Sequence, residues 1–164
     1  MTFASVLSNR TRAWGFVQSE DNGFISRDRV TIDGSTGGVA PGTILYAGTL
    51  LGMLTVSGKY VPSGYAETDG SQFASCILGE DVTVEGDVIV GVFARRGEVR
   101  DDSLVYDPSV YTPGGGLNVF GGVDYRAVKW AQLESIHSSG FGGIIVRLEG
   151  GVQVTEPGFV SPDP

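Results

Sequence analysis

The chain has 164 residues, 41 % of them hydrophobic, with a formal net charge of −8. That length suits one domain with a core of useful size, and that apolar content excludes wholesale disorder. The acidic balance repels polyanions and argues against nucleic-acid binding, and the single cysteine, Cys76, excludes an intrachain disulfide and fits synthesis in a reducing cytosol.

Glycine occupies 26 positions without a G-X-Y period. It punctuates short runs of Val, Ile, Leu, Phe and Tyr, the pattern of many turns between short strands. Residues 1–19 carry Arg10 and Arg12 and no acid, so a small basic leader precedes an acidic body. The opening "MTFASVLSNRTR" places its apolar run before its arginines, the reverse of a secretory signal. No apolar stretch approaches the roughly 18 residues of a membrane-spanning helix, so no membrane partner is expected.

Residues 1–19 lack sustained periodicity and read as an extended N-terminal arm that meets the body near Phe16. Asn22-Gly23 is a hairpin-type turn and Phe24–Ile32 a strand. "DGSTGG" (33–38) is a loop. Thr43–Tyr46, Leu50–Val56 and Lys59–Val61 read as strands around glycine turns, and "PSGYAETDGSQ" (62–72) as a long polar loop. Phe73–Leu78 is a buried strand containing Cys76, and Val88–Ala94, "VIVGVFA", is the clearest strand of all. "RRGEVRDD" (95–102) turns outward, and Ser103–Tyr106 closes that segment. Residues 107–122 form a Gly/Pro-rich loop or small hairpin. One helix is expected over about Tyr125–His137, with Asp124 as N-cap, Gly140 as terminator, and Ala127, Trp130, Ala131 and Leu133 on one face with Val123. Gly143–Leu148 is a last strand, and residues 150–164, with three prolines, form an extended tail. The domain plan is therefore a 1–19 arm, a 20–149 β-rich body and a 150–164 tail.

Chemistry is sparse in this chain. Cys76 and His137 are one possible nucleophile and base, but an apolar strand suits an inert buried thiol, and a histidine in the last turn of a helix suits its dipole. The acid pairs Glu80-Asp81, Glu85/Asp87 and Asp101-Asp102 sit in turn-like segments, where solvated side chains are the simpler account. "SEDNG" and "ETDG" lack the spaced acids and distant glutamate of a calcium loop. "GGGLNVFGG" (114–122) lacks the Gly-Lys-Ser/Thr of a phosphate loop. Arg95-Arg96 stand beside neutralising acids. No catalytic residue, cofactor or metal is expected, and the chain is not read as an enzyme.

The segment "GTLLGMLTVSGKYVPSGYAETDGSQFASCILGEDV" (48–82), followed by "VIVGVFARRGEVRDDSLVY" (88–106), resembles the head decoration proteins of tailed phages, the lambda-type capsid-stabilising family. "SEDNGFISRDRVTI" upstream and "AQLESIHSSGFGGIIVRL" downstream are similar to that family's entry and closing units. The likeness runs over roughly residues 16–148. The glycine-rich 107–122 and the tail 150–164 depart from it.

The resemblance implies a mainly β fold of the β-clip kind with one or two short helices. It also implies a homotrimer on the outer surface of the virion's capsid. There it would bind the major capsid protein after expansion and stabilise the shell against internal DNA pressure. The arm is then the capsid-contact segment, with Phe3, Val6, Leu7, Arg10, Arg12, Trp14, Phe16 and Val17 as contact candidates. Burial of its few apolar side chains is smaller than the entropy cost of ordering nineteen residues, so backbone pairing to a partner's sheet edge has to contribute. A fibre, baseplate or carbohydrate-binding β module is the alternative. Tyr60, Tyr65, Tyr106 and Tyr111 are its candidate aromatic face, and a perturbed thiol or acid in a pocket would mark an enzyme instead.

Overall fold

The computed structural model describes residues 13–20, 27–35, 37–64, 67–95, 97–106, 119–120, 123–124, 126–134 and 144–147. The fold is mainly β. Its centre is a closed barrel of five strands: β2 (Arg27–Ile32), β4 (Leu50–Met53), β5 (Tyr60–Pro62), β6 (Cys76–Leu78) and β8 (Val88–Phe93), in the order β2-β5-β4-β6-β8. The longest ladder is antiparallel and joins β2 to β8 from Arg27↔Phe93 to Ile32↔Val88. A two-stranded ribbon of β3 (Thr43–Leu45) and β7 (Val82–Val84) lies beside the barrel. A second sheet has the order β1-β9-β12, where β1 is Val17–Glu20, β9 is Gly97–Arg100 and β12 is Ile144–Arg147. Helix α1 (Arg126–Glu134) packs on β12, and β10 (Val119–Phe120) pairs with β11 (Val123–Asp124).

Side chains alternate across a strand, and here both faces are covered along β6, most of β4 and the Phe93 end of β8. Leu51, Cys76, Leu78, Val90 and Val92 point into the barrel with Ile32, Leu45 and Val84. Their neighbours Leu50, Ile77 and Phe93 point outward, into a second core with Phe16, Val99, Leu104, Trp130, Leu133 and Ile144. Burial on both faces is why "CIL" is continuously apolar rather than alternating, whereas in "VIVGVF" the outward Ile89 is exposed.

Several expectations are corrected. The segment 95–102 does not simply turn outward: Gly97–Arg100 is the central strand of the second sheet, antiparallel to β1 and parallel to β12. Only Val99 of that strand is fully buried, so its charged neighbours concealed it. Val82–Val84, between the acid pairs Glu80-Asp81 and Glu85/Asp87 in a segment expected to be turn-like, is a strand. Where Ser103–Tyr106 closes that segment, a 3-10 turn over Asp101–Ser103 leads to a single parallel bridge, Thr49↔Val105. Ala131 is exposed, whereas Arg126 and Lys129 are buried with Ala127, Trp130 and Leu133. At about 100° per residue, the buried arc from Lys129 to Ala127 is centred near Trp130, and Ala131 lies just past its edge. Thr43–Tyr46 and Val88–Ala94 are each one residue shorter than expected, Leu50–Val56 and Phe73–Leu78 three residues shorter, and Lys59–Val61 is shifted by one to Tyr60–Pro62. The Asn22-Gly23 turn, the loop 107–118, His137, Gly140 and the tail lie outside the described residues. So do residues 1–12 of the expected arm, whose boundary at residue 19 falls inside β1.

Candidate functional site

Several of the described residues that carried possible chemistry have structural duties. Cys76 is buried in the barrel, and desolvation pushes its thiol far above the ordinary range, so it is not a nucleophile at neutral pH. Asp81 accepts from the backbone N–H of Ala47 at 2.9 Å. Asp87 accepts from the N–H of Gly34 at 3.0 Å and pairs with the Lys59 ammonium at 2.6 Å. That hydrogen bond to Lys59 holds the Asp87 carboxyl below its usual range and raises Lys59. Asp69, in "ETDG", accepts from both the hydroxyl and the N–H of Ser71, which lowers it, and Asp33 is lowered in the same way by Ser35. These are turn-building carboxylates. Arg95 reaches Asp28 at 3.3 Å and Arg100 reaches Asp102 at 2.9 Å. Among the described residues no group of three or more His, Cys, Asp and Glu could hold a metal ion, and no helix is long and apolar enough to cross a membrane. Tyr106, one of the tyrosines considered for a sugar face, is buried and accepts from Trp130 Nε1 at 2.8 Å.

The most specialised local geometry lies where the N-terminal segment joins the body. The Phe16 ring is fully buried and meets Phe93 edge-on, with centroids 6.1 Å apart. Its carbonyl accepts from Arg100 N–H at 2.8 Å, and β1 continues the pairing along β9. Two residues earlier, Trp14 adopts φ 58°, the left-handed region. For a bulky residue this costs on the order of 1–3 kcal/mol and persists only when its surroundings enforce it.

Those surroundings are visible. Trp14 N–H donates to the Gly79 carbonyl at 2.7 Å. The indole lies in a notch over Gly79 and Gly91: a Cβ on Gly79 would stand 2.5 Å from the ring, and one on Gly91 3.3 Å. The Arg27 guanidinium caps the ring at 3.9 Å from its centroid, and Nε1 donates to Glu80 at 3.4 Å. A cleft of about 540 Å³ opens beside it, lined by Trp14, Arg27, Arg29, Glu80 and Ile89 among others.

Of the expected contact residues, Trp14, Phe16 and Val17 are therefore brought together on the body. Phe3, Val6, Leu7, Arg10 and Arg12 lie outside the described residues. Phe16 is enclosed by the chain's own core and offers no surface. Gly79, Gly91, Arg27 and Glu80 were not singled out from sequence. The signal available was Gly91 itself, a glycine inside an otherwise apolar strand, which marks a close approach by another group.

A second polar cluster ties α1 to the loop after β5. Lys129 is 1 % exposed, and its ammonium donates to Ser63 Oγ at 2.9 Å, Gly64 O at 2.6 Å and Gln72 O at 2.7 Å. Burial lowers it to about 8, against the opposing pull of Glu67. Gln132 accepts from Ala74 N–H at 2.8 Å. Both side chains fasten the helix to the barrel and hold no reactive group in a cleft.

Compared with known proteins, the chain is matched over residues 6–114 by the family model of the bacteriophage lambda head decoration protein D. No curated protein sequence matches it. The match spans more than half of the chain and ends before α1 and β12. The chain belongs to the lambda head decoration protein D family.

Proposed function

We propose that this head decoration protein binds the outside of the expanded phage capsid as a homotrimer and stabilises the shell against the pressure of packaged DNA. The family is one of structural virion proteins, and the match over residues 6–114 is the observation that carries the reading. Its partners are the major capsid protein and further copies of itself. Residues 1–12, with Phe3, Val6, Leu7, Arg10 and Arg12, supply the capsid-binding arm, and Trp14, Phe16 and Val17 supply its root.

The architecture supports a load-bearing role. The barrel is closed, between β2 and β5 by the single pair Ile32↔Tyr60, and a second sheet and a helix brace its outer face. Trimerisation would join three modest arm contacts on one body into a durable attachment through effective concentration. Met53, Val56 and Phe73 are exposed apolar side chains on the β4–β5 hairpin and the segment bonded to it, surface that a neighbouring copy would cover.

Co-sedimentation with expanded, undecorated capsids of the same phage tests the proposal. Saturable binding near one copy per capsid subunit, with added resistance of filled heads to heat or chelator, is the expected result. An absence of binding by the full-length protein rejects it, and a glycan array then tests the alternative binding module.

A further inference from the structure

The geometry at the root of the arm goes beyond simple attachment. Phe16 already fastens the N-terminal segment to the core. Trp14 is only partly buried and adds less packing, yet four separate contacts converge on it. Among the described residues it is also the one non-glycine with positive φ. A conformation that glycine would adopt freely is here imposed on a large side chain, and what it fixes is the path of the backbone just before the body.

The path has a direction. The outward positions of β8 are Phe93, Gly91 and Ile89, read along one face. Phe16 covers the first and Trp14 the second. Ile89, the third, is 67 % exposed and lines the open cleft with Arg29.

We infer that Trp14 is the positioning residue of the arm: its indole, lodged in the Gly79–Gly91 notch, fixes the backbone at the root of the N-terminal segment beside the β2–β8 face bearing Arg29 and Ile89. The inference rests on the arm reading above. It assigns Trp14 the job of presenting the capsid-binding segment in one orientation on each subunit. Three arms on one trimer must reach three fixed sites together, and a correct departure angle raises the effective concentration of each arm at its site.

The test compares full-length wild type, Trp14→Ala, Trp14→Phe, Gly79→Ala and a deletion of residues 2–12 for affinity to expanded, undecorated capsids. Val84→Ala, in the aliphatic cluster rather than the one Trp14 packs against, is the control for lost stability. Gly79→Ala evicts the indole without touching the arm's own sequence. The expected result is loss of binding on deletion, at least about tenfold weaker binding for Trp14→Ala and Gly79→Ala, and partial recovery for Trp14→Phe, which keeps a ring under Arg27. Val84→Ala should bind as wild type while unfolded at a lower temperature.

Affinities of Trp14→Ala and Gly79→Ala within twofold of wild type, with the deletion still inactive, overturn the inference alone. So does a fall matched by Val84→Ala at equal loss of melting temperature. Undiminished binding by the deletion overturns the arm reading and the inference with it.

Discussion

The barrel and the layer packed on it are both apolar inside, but they are assembled by different means. The barrel is built from one continuous stretch, Arg27 to Phe93, and its interior is filled by aliphatic side chains and one thiol. The second layer collects four segments far apart in sequence, β1, β9, α1 and β12. It relies on edge-on and tilted aromatic contacts and on polar ties: Lys129 to the loop, Gln132 to Ala74, Trp130 to Tyr106. Local chain continuity allows a core of plain alternation, whereas distant segments need specific polar contacts to fix which piece meets which.

The largest effect is expected at Phe93, which rises from a barrel strand into the second core. Phe93→Ala should cost about 3–5 kcal/mol in urea denaturation and loosen β1 as well as β8. Next come matched truncations on the two sides, Leu51→Ala in the barrel and Leu133→Ala on the helix, each costing about 2–5 kcal/mol and both fully buried. If the two regions unfold together, far-UV circular dichroism and tryptophan fluorescence give one coincident transition in both variants. A split transition in Leu133→Ala alone would make the layers separate cooperative units.

Lys129→Met should cost about 1–3 kcal/mol at neutral pH, because the buried Ser63 hydroxyl and two partly buried carbonyls lose their donor. Its sharper signature is in pH. The folded Lys129 titrates near 8 and the unfolded side chain near 10.5, so between these values the unfolded chain holds more protons and stability contributed by this group rises with pH. Lys59 acts in the opposite sense: raised by Asp87, it contributes stability that is lost as pH climbs above about 10.5. The difference between wild type and Lys129→Met, measured from pH 7 to 10, isolates the rising limb and should flatten in the variant.

The smallest effect is expected for Asp87→Asn, which removes an exposed ion pair and should leave the denaturation midpoint within replicate scatter at neutral pH. On the acid side Asp33, Asp69 and Asp87 all have lowered values. Their contributions are present above about 3.8 and are lost as pH falls through their folded values. Asp87→Asn should therefore shallow the acid limb slightly, as read by intrinsic fluorescence between pH 5 and 2.

Much of the barrel was legible because its strands are short apolar runs bounded by glycine turns. Val88–Phe93 is the plainest case. The second layer was not, and the reasons are local. In Gly97–Arg100 one buried valine sits among charges, and the strand's partners are remote. A helical lysine is ordinarily solvated, and no pattern in one sequence reports that three oxygens await the Lys129 ammonium. For the candidate site, the meeting of the N-terminal segment with the body near Phe16 was readable from its aromatics. The notch was not, because a glycine that admits an indole and a glycine that turns a chain are the same letter. The family likeness supplied the role that no cluster of reactive residues could.

The second sheet places its earliest and latest strands on either side of β9, which has consequences for synthesis. A ribosome delivers every barrel strand before any residue of β12, so the barrel can close while the chain is still growing. The outward faces of Leu50, Ile77 and Phe93 then stay wet until α1 and Ile144–Arg147 arrive to cover them. Nascent chains stalled before residue 144 should accordingly be sticky and chaperone-bound, and a stop codon there should yield inclusion bodies rather than a smaller soluble protein.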